Sequence, residues 1–502
     1  MNTKQQLSAF ALLAAFAVSS AFAQKFRERY RTDIPQEITV PDGIESRLGM
    51  LRFQDGFPDD ETVDKVYDNL DFQRGVQAFL TTMPAASLSA MREGLRGIGV
   101  NNTSVVLFER LMDSRSLFLT ANTESIYLSG WLNLKDGPLV VETPPNVLGL
   151  VDDFWFNWVA DMGNAGPDKG QGGKFLFLPP DYKGEAPKAG YYVYRSPTYG
   201  NWLLVRGFQV NGDPGPAVAN FKQHFRIYPL SAAANPPKTN FINASGKPFN
   251  TIHAMDFSFY EEVNRVVQEE PHTAIDPDTL GLLASIGIQK GKPFAPDARM
   301  KKILTESAQV ANATARTLMY RSRDEESFIA AETGWCAPPV PTYTFERDGV
   351  RLLDLRTSIF FYGTGVSPAM TLKRVGVGSQ YAFCFTDSKR QPLDGGRNYR
   401  LHLPPDIPAK DFWSIVVYDN QTRSMLQTNQ QFPSVGNQKK ALAINPDASV
   451  DVYFGPEAPP GKENNWVETR ALKGWNVILR LYGPLQPWFD KTWRPGEIEE
   501  VK

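Results

Sequence analysis

The sequence is poor in the residues that most metal and thiol centres require. Its 502 residues include 2 cysteines, Cys336 and Cys384, and 4 histidines. None of these residues has a partner at the short spacings that typify zinc sites, so we predict no metal centre and no cofactor. An oxidising compartment would permit a disulfide between the two cysteines. The alternative is a pair of buried free thiols.

Motifs of several common enzyme classes are absent as well. The sequence has no Gly-x-Ser-x-Gly elbow, no phosphate-binding loop and no dinucleotide fingerprint. The glycine-rich letters VGVGSQ lack the strand and helix that surround a nucleotide-binding loop, so they indicate a turn. Sequence motifs therefore leave open whether this protein is an enzyme.

Neither sign of charge predominates. The chain has 53 Lys+Arg and 55 Asp+Glu, which gives a formal net charge of −2. There is no long run of one sign, and nothing directs the protein to nucleic acid or to an anionic membrane surface. The oligomeric state is left open by the composition.

Long hydrophobic runs are scarce, and the run near the N-terminus is short. It covers residues 7–18, follows Lys4 and precedes an A-x-A signal that ends at Ala23. This order is typical of a signal peptide cleaved between Ala23 and Gln24, and the run is too short to span a bilayer. A buried core helix is the alternative. We expect a soluble periplasmic or secreted protein with no membrane span after the signal is removed.

What the sequence does contain is enough apolar and aromatic residues, 42% and 12%, for a large core. Short apolar runs separated by turns alternate with helical patterns, which predicts an α+β protein. We expect two related antiparallel β-sandwich, jelly-roll-like modules joined by a mainly α-helical segment. The predicted order is a signal peptide (1–23), a lead with two helices separated at Pro84 (24–104), a first sandwich (105–216), a helical segment (217–340) and a second sandwich (341–502).

The two strand-rich regions share local patterns. A Pro-Pro pair at residues 144–145 precedes Asp-Phe-Trp at 153–155, and a second pair at 404–405 precedes Asp-Phe-Trp at 411–413. Further on, Arg206 and Arg480 each lie six residues after a glycine, at the end of an apolar strand. These patterns favour an old duplication of one sandwich unit. Chance similarity between strand-rich stretches is the alternative.

Longer phrases resemble a known family. The stretch LTANTESIYLSGWLNLKDGPLVVETPP and the later PLDGGRNYRLHLPPDIPAKDFWSIVVYD are similar to two paired bacterial domains of unknown function, numbers twelve fifty-four and twelve fourteen. The closing phrases NNWVETRALKGWNVILRLYGP and TWRPGEIEEV are similar to the second of these domains. The resemblance implies two β-rich modules with helical insertions. Because the family is functionally unassigned, it implies no activity.

A polar cluster in the first module is the leading candidate site. Glu124 is flanked by Asn122 and Ser125, and Tyr127 follows. A carboxylate in this setting can act as a base, orient a hydroxyl or bind a cation. The alternative is an acidic residue that accepts hydrogen bonds from turn amides. We predict Glu124 as a catalytic residue, with Asn122 and Tyr127 beside it.

The repeated arginines are candidate ligand-binding residues. Arg206 and Arg480 could each hold a carboxylate or phosphate by bidentate hydrogen bonds. A structural ion pair with Asp153 or Asp411 is the alternative.

Three further residues complete the predicted ligand-binding set. Trp413 could stack on a sugar ring, although most tryptophans of a sandwich belong to its core. Arg226 and Tyr228 end the first helical stretch and could line a cleft between modules.

These residues favour two functions. The first is a hydrolase that acts on a polar small molecule or a glycan in a cleft between the β modules. The second is a non-catalytic periplasmic ligand-binding or envelope-associated protein.

Overall fold

The computed structural model of the chain describes residues 30–439 and 441–502. The predicted signal peptide, residues 1–23, lies outside the described residues. Within the described ranges no helix has both the length and the hydropathy that crossing a membrane requires.

Residues 30–70 form a small unit of their own. Strands β1 (Gly43–Ser46), β2 (Gly49–Gln54) and β3 (Phe57–Pro58) make an antiparallel sheet in the order β1-β2-β3. Helix α1 begins directly after this sheet. The carboxylate of Asp59 accepts a hydrogen bond from the backbone N–H of Thr62, which is a normal way to satisfy a helix start.

Helix α1 (Asp60–Gly97) corrects one expectation, because it replaces the two helices predicted on either side of Pro84. Proline inside a helix costs roughly 3 kcal/mol. Phe79, Met83 and Leu88 are fully buried around Pro84. Each such side chain contributes about 1.5–3 kcal/mol on burial, so continuing the helix outweighs the lost hydrogen bond.

The larger unit contains the remaining helices and strands. Its other helices are α2 (Gly215–His224), α3 (Ser258–Glu269), α4 (Pro277–Ser285), α5 (Ala298–Tyr320), α6 (Leu353–Tyr362), α7 (Pro368–Thr371) and α8 (Gln486–Phe489). The strands of its first half are β4 (Ser104–Leu107), β5 (Ser116–Leu117), β6 (Ser125–Asn133), β7 (Leu139–Thr143), β8 (Val147–Asp153), β9 (Trp158–Gly163), β10 (Gly173–Leu178), β11 (Tyr192–Arg195), β12 (Gly200–Phe208), β13 (Arg226–Pro229), β14 (Asn240–Asn243) and β15 (Phe249–Asn250). The strands of its second half are β16 (Trp335–Cys336), β17 (Glu346–Arg347), β18 (Val350–Arg351), β19 (Ser379–Cys384), β20 (Asn398–Leu403), β21 (Ala409–Asp419), β22 (Ser434–Gly436), β23 (Val450–Gly455), β24 (Trp466–Glu468), β25 (Trp475–Pro484) and β26 (Ile498–Val501).

The first sandwich packs a six-stranded sheet, β14-β4-β6-β12-β8-β9, against a four-stranded sheet, β11-β10-β7-β13. Alternate side chains of both sheets, such as Leu128, Val141 and Phe177, meet in one buried core. The sandwich extends past the predicted boundary at residue 216. Strands β13 and β14 lie within the segment expected to be helical, and they complete one edge of each sheet.

The second sandwich repeats this plan. A five-stranded sheet, β16-β19-β25-β21-β22, packs against a four-stranded sheet, β24-β23-β20-β26. Strands β19–β26 take the places of β6–β13 in the same chain order, and each module has its parallel pair at the matching position, β10 with β11 and β23 with β24. This one-to-one correspondence supports the duplication, and the α+β class with two related sandwich modules is confirmed.

The strand registers decide which repeated motifs are equivalent. Arg206 lies opposite Tyr127, and Arg480 lies opposite Tyr381, each in the central part of the larger sheet. The two arginines therefore occupy equivalent places. The two Asp-Phe-Trp triplets are not equivalent, because the first begins at the last residue of β8 whereas the second lies near the start of β21. The Asp-Phe-Trp part of the repeat is thus wrong as an alignment, whereas the two Pro-Pro pairs directly follow the equivalent strands β7 and β20.

Candidate functional site

A cavity of about 1390 Å³ lies between the two sandwich modules. Side chains of a strand alternate between its faces, so the larger sheets have one face in the sandwich core and one face outside it. The outer faces supply the wall: Tyr127, Leu148, Leu150, Leu204, Arg206 and Phe208 from the first module, and Tyr381, Phe383, Phe412, Ile478, Arg480 and Tyr482 from the second. The predicted site residues Tyr127, Arg206 and Arg480 are brought together here.

Each module contributes the same pair of residues to this wall. The guanidinium carbon of Arg206 lies 5.6 Å from the ring centroid of Tyr127, and that of Arg480 lies 5.0 Å from the ring centroid of Tyr381. Both pairs are direct cross-strand neighbours in their sheets. A cation over a tyrosine face is an attractive contact. The duplication has therefore placed two equivalent Arg–Tyr pairs on one cavity.

Arg480 is buried and also holds a loop of the first module. Its terminal nitrogen donates to the carbonyl of Thr120 and, at 2.8 Å, to the hydroxyl of Tyr418. The Tyr418 hydroxyl in turn donates to the carbonyl of Ala121. Thr120 has a φ of 49°, which a threonine adopts only where its surroundings fix it. These contacts fix the position of Arg480 at the junction of the modules.

Arg206 instead contacts two tyrosines through its guanidinium, the ring of Tyr127 and the side chain of Tyr381. Gly207, its neighbour in β12, lets helix α2 approach, since a Cβ there would lie 2.8 Å from the ring of Phe221. Among the described residues no carboxylate lies within 4.0 Å of Arg206 or Arg480. The Nε atoms of both arginines are buried without a hydrogen-bond partner.

The alternative of structural Arg–Asp pairs is therefore wrong. The carboxylate of Asp153 accepts hydrogen bonds from the backbone of Trp155 and from Asn157. Asp411 lies 4.0 Å from Lys410 and its side chain is half-exposed. Local partners satisfy both aspartates, and the arginines are left to the cavity.

Tyr381 lies between the two arginines. Burial raises the pKa of its phenol, but the charges of Arg206 and then Arg480 outweigh burial, and the pKa lies below its ordinary value. Tyr482, two residues beyond Arg480, differs. Burial raises its pKa well above the ordinary value, and its hydroxyl is buried without a hydrogen-bond partner.

The carboxylate of Glu124 is not part of the described cavity wall. It accepts hydrogen bonds from the N–H and the hydroxyl of Thr123, within its own turn. Asn122 accepts from the N–H groups of Glu124 and Ser125, and its amide donates to the Tyr127 hydroxyl at 2.6 Å. The polar cluster thus caps the start of β6 and orients a wall residue, while the carboxylate itself serves the turn.

The other predicted ligand-binding residues lie elsewhere. Arg226 and Tyr228 are in β13, on the smaller sheet of the first module, where Tyr228 donates to Glu142 at 2.6 Å. Trp413 is buried in the core of the second sandwich. All three are outside the described cavity wall. Trp413 packs in a sandwich core, and Arg226 and Tyr228 lie on the smaller sheet of the first module.

The cysteines form no disulfide. Cys336 and Cys384 are buried free thiols. In the pairing of β16 with β19, Cys336 lies opposite Phe383 and Cys384 lies opposite Trp335. Since neighbouring residues point to opposite faces, the two thiols are on opposite sides of the sheet. Burial raises the pKa of Cys336 to about 12, as expected of an unreactive thiol.

The segment 363–378 covers part of the cavity, and sequence reasoning missed it. Its residues contribute a large share of the wall. The Asp152 carboxylate accepts from the N–H of Val366 at 3.0 Å. Asp161, itself in the wall, is buried next to Ser367, and burial raises its pKa to about 6. Two acidic residues of the first module thus border this segment.

Tyr381 was also missed, although a signal exists. Strand β6 begins Ser125-Ile126-Tyr127, and β19 begins Ser379-Gln380-Tyr381. This Ser-x-Tyr repeat marks the equivalent tyrosines.

Within the described part of the chain, no group of three or more His, Cys, Asp or Glu could hold a metal ion.

Comparison with known families agrees with the duplicated architecture. The model described as "Protein of unknown function (DUF1254)" matches residues 102–229, and "Protein of unknown function (DUF1214)" matches residues 378–486. The chain carries this pair of domains, in this order. The first match spans β4–β13 and the second spans β19–β25, so each domain of the paired family corresponds to one sandwich.

One of two solved structures compared with the chain resembles it, in fold alone. The VPA0106 protein from Vibrio parahaemolyticus has a TM-score of 0.52 at 20% identity, over 86% of this chain and 100% of that one. An uncharacterised protein from Burkholderia cenocepacia has a TM-score of 0.37 at 11% identity, over 87% of this chain and 96% of that one. No curated protein matches the chain significantly.

Proposed function

We propose that the protein binds an organic anion between its two modules. The charged head lies at Arg206 and Arg480, and an apolar body extends along the remaining wall. The observation that carries this proposal is the pair of arginines, Arg206 half-buried and Arg480 buried, that line the cavity with no carboxylate within 4.0 Å among the described residues. A buried charge without a partner is costly, and guanidinium groups hold carboxylates and phosphates by paired hydrogen bonds.

The remaining wall suits an apolar body. Away from the arginines it consists mainly of aliphatic and aromatic side chains, among them Leu150, Leu204, Met319, Phe345, Ile359 and Phe383. A ligand pocket with an apolar wall and a few convergent polar groups is the usual design of small-molecule sites. A medium-chain carboxylate has this combination of head and body.

Binding is favoured over hydrolysis. The predicted catalytic carboxylate, Glu124, accepts hydrogen bonds from Thr123 and does not line the cavity. A general base has to reach the proton that it abstracts. The non-catalytic ligand-binding alternative therefore has the stronger support.

Calorimetric titration with decanoate, with decanol as the neutral probe of equal chain length, tests the proposal. Decanoate should bind and decanol should bind at least about tenfold more weakly, because only the carboxylate pairs with the arginines. Arg206→Gln should weaken decanoate binding by about tenfold or more and leave decanol unchanged. Arg226→Gln removes the same charge outside the cavity wall and should change neither. Equal affinities for the two probes would contradict the proposal.

We further propose that the protein is exported and binds its ligand in the periplasm or outside the cell. The support is the pattern of Lys4, the apolar run at residues 7–18 and the A-x-A signal ending at Ala23. Protein recovered from a periplasmic fraction should begin at Gln24 on N-terminal sequencing. Intact chain confined to the cytoplasmic fraction would refute export.

A further inference from the structure

The charges around the cavity are unevenly distributed. Its wall contains the cations Arg206, Arg374, Lys410 and Arg480 and the carboxylates Asp161 and Asp411. Asp411 lies 4.0 Å from Lys410, so these two charges offset each other. Asp161 is bordered by the segment 363–378. Neither carboxylate lies within 4.0 Å of Arg206 or Arg480 among the described residues.

The two arginines act on one place. Arg480 is among the groups whose charge lowers the pKa of Arg206, and both arginines act on the phenol of Tyr381. Both guanidinium groups lie beside the same tyrosine: that of Arg480 is 5.0 Å from the Tyr381 ring centroid, and the side chain of Tyr381 also contacts Arg206, so one head group placed against Tyr381 can reach both arginines. Equivalent positions in the two modules explain why two cations, rather than one, converge here.

Among the described residues, no first-module carboxylate lies within 4.0 Å of either arginine. Glu124, in the turn before β6, raises the pKa of Lys439 against the effect of burial and also acts on the phenols of Tyr418 and Tyr482. After burial, which lowers the pKa of both guanidinium groups, the largest influences on Arg206 and Arg480 are tyrosines, which are neutral while protonated. Binding of one negative charge would therefore leave the second guanidinium without a counterion.

We infer that the head group of the ligand is a dianion, such as a phosphate monoester, that spans Arg206 and Arg480. This inference rests on the proposed function, since it concerns the charge of a ligand in the same cavity. Tetrahedral phosphate oxygens match the planar forks of two arginines and also accept from a hydroxyl. Tyr482, whose hydroxyl has no hydrogen-bond partner, lies in the same wall.

Octyl phosphate and octyl sulfate form a matched pair of probes. Both have the same chain and a tetrahedral oxyanion, but at pH 8 the phosphate carries nearly two negative charges, because its second pKa is about 6, while the sulfate carries one. We expect octyl phosphate to bind at least about tenfold more tightly than octyl sulfate to the full-length mature protein. At pH 5, where the phosphate carries one charge, the two affinities should converge.

Arg206→Gln separates the charge argument from general damage to the cavity. With one guanidinium left, octyl sulfate should still bind, and the preference for phosphate at pH 8 should shrink to about threefold or less. Arg226→Gln should keep the full preference. Octyl sulfate binding also reports whether each variant retains a folded cavity.

The outcomes distinguish the two proposals. If neither probe nor decanoate binds, the proposed function itself fails. If both probes bind with equal affinity at pH 8, the cavity binds organic anions but the dianion inference is overturned. A preference that persists unchanged in Arg206→Gln would also overturn it, because the second charge would then be recognised elsewhere.

Discussion

At the scale of single residues, the sequence pattern indicated that the two arginines are equivalent, but it did not indicate what the carboxylate of Glu124 contacts. Arg206 and Arg480 could be paired from the sequence because each ends a similar apolar strand, and the strand registers make them equivalent. The role of Glu124 could not be predicted, since a carboxylate in a turn either remains free or accepts hydrogen bonds from its own turn. The geometry of one turn, in which Thr123 donates to it, decides this.

Tyr381 should make anion binding weaker at alkaline pH. Because Arg206 and Arg480 hold its pKa below the ordinary tyrosine value, Tyr381 loses its proton at a lower pH than a free tyrosine. The tyrosinate then offsets the arginine charges and competes with the ligand. We expect the affinity for octyl sulfate, whose own charge is constant, to fall as the pH rises from about 7 to about 10.

A Tyr381→Phe variant isolates this effect. It should keep the affinity nearly constant over the same interval, because Arg206 and Arg480 stay protonated throughout. Tyr482, with its pKa raised by burial, does not titrate in this range, and Asp161, with a pKa of about 6, is already ionised at its lower end. Parallel curves for the wild type and Tyr381→Phe, measured by calorimetry, would assign the effect to another group.

At the scale of elements, strand and helix types were predictable and their faces were not. The run GNWLLVRGF of β12 is apolar on both sides, because one face lies in the sandwich core and the other lines the cavity. A strand buried on both faces loses the alternation that marks an exposed side. Helix α1 was divided wrongly at Pro84, because local preference did not reveal how strongly its flanks are buried.

The segment 363–378 shows a different limit. Its letters GTGVSPAMTLKRVGVG are typical of a loop, and only the four-residue helix α7 interrupts it. Its place over the cavity depends on Asp152 and Asp161, which lie about two hundred residues earlier in the chain. Long-range contacts of this kind have no local signature, so no reading of the segment alone could have assigned it to the wall.

At the scale of the whole chain, duplication explains why the cavity between the modules is lined by two equivalent arginines. Strands β6–β13 and β19–β26 follow one plan, and each domain of the paired family corresponds to one sandwich. Two copies of an Arg–Tyr pair therefore face one cavity. The Pro-Pro pairs follow equivalent strands, but the Asp-Phe-Trp triplets suggested the same duplication through a wrong alignment. The Ser-x-Tyr repeat of β6 and β19 gives the alignment that the registers support.

The unpaired charges of this site should lower the stability of the ligand-free protein. Replacing a buried ion pair by apolar side chains of similar size is often neutral or stabilising, by about 1–4 kcal/mol, and a cation with no carboxylate beside it has less attraction to lose. We expect Arg206→Met to raise the free energy of unfolding by about 1–2 kcal/mol while it weakens anion binding. Arg480→Met should not stabilise, because Arg480 also donates to Thr120 and Tyr418, whose acceptors would lose their partner. Urea unfolding of the wild type, Arg206→Met and Arg480→Met without ligand measures this difference. The control, Arg226→Met, should stay within about 0.5 kcal/mol of the wild type. Destabilisation by Arg206→Met equal to that by Arg480→Met would mean that Arg206 has a structural partner and that its charge is not held for a ligand.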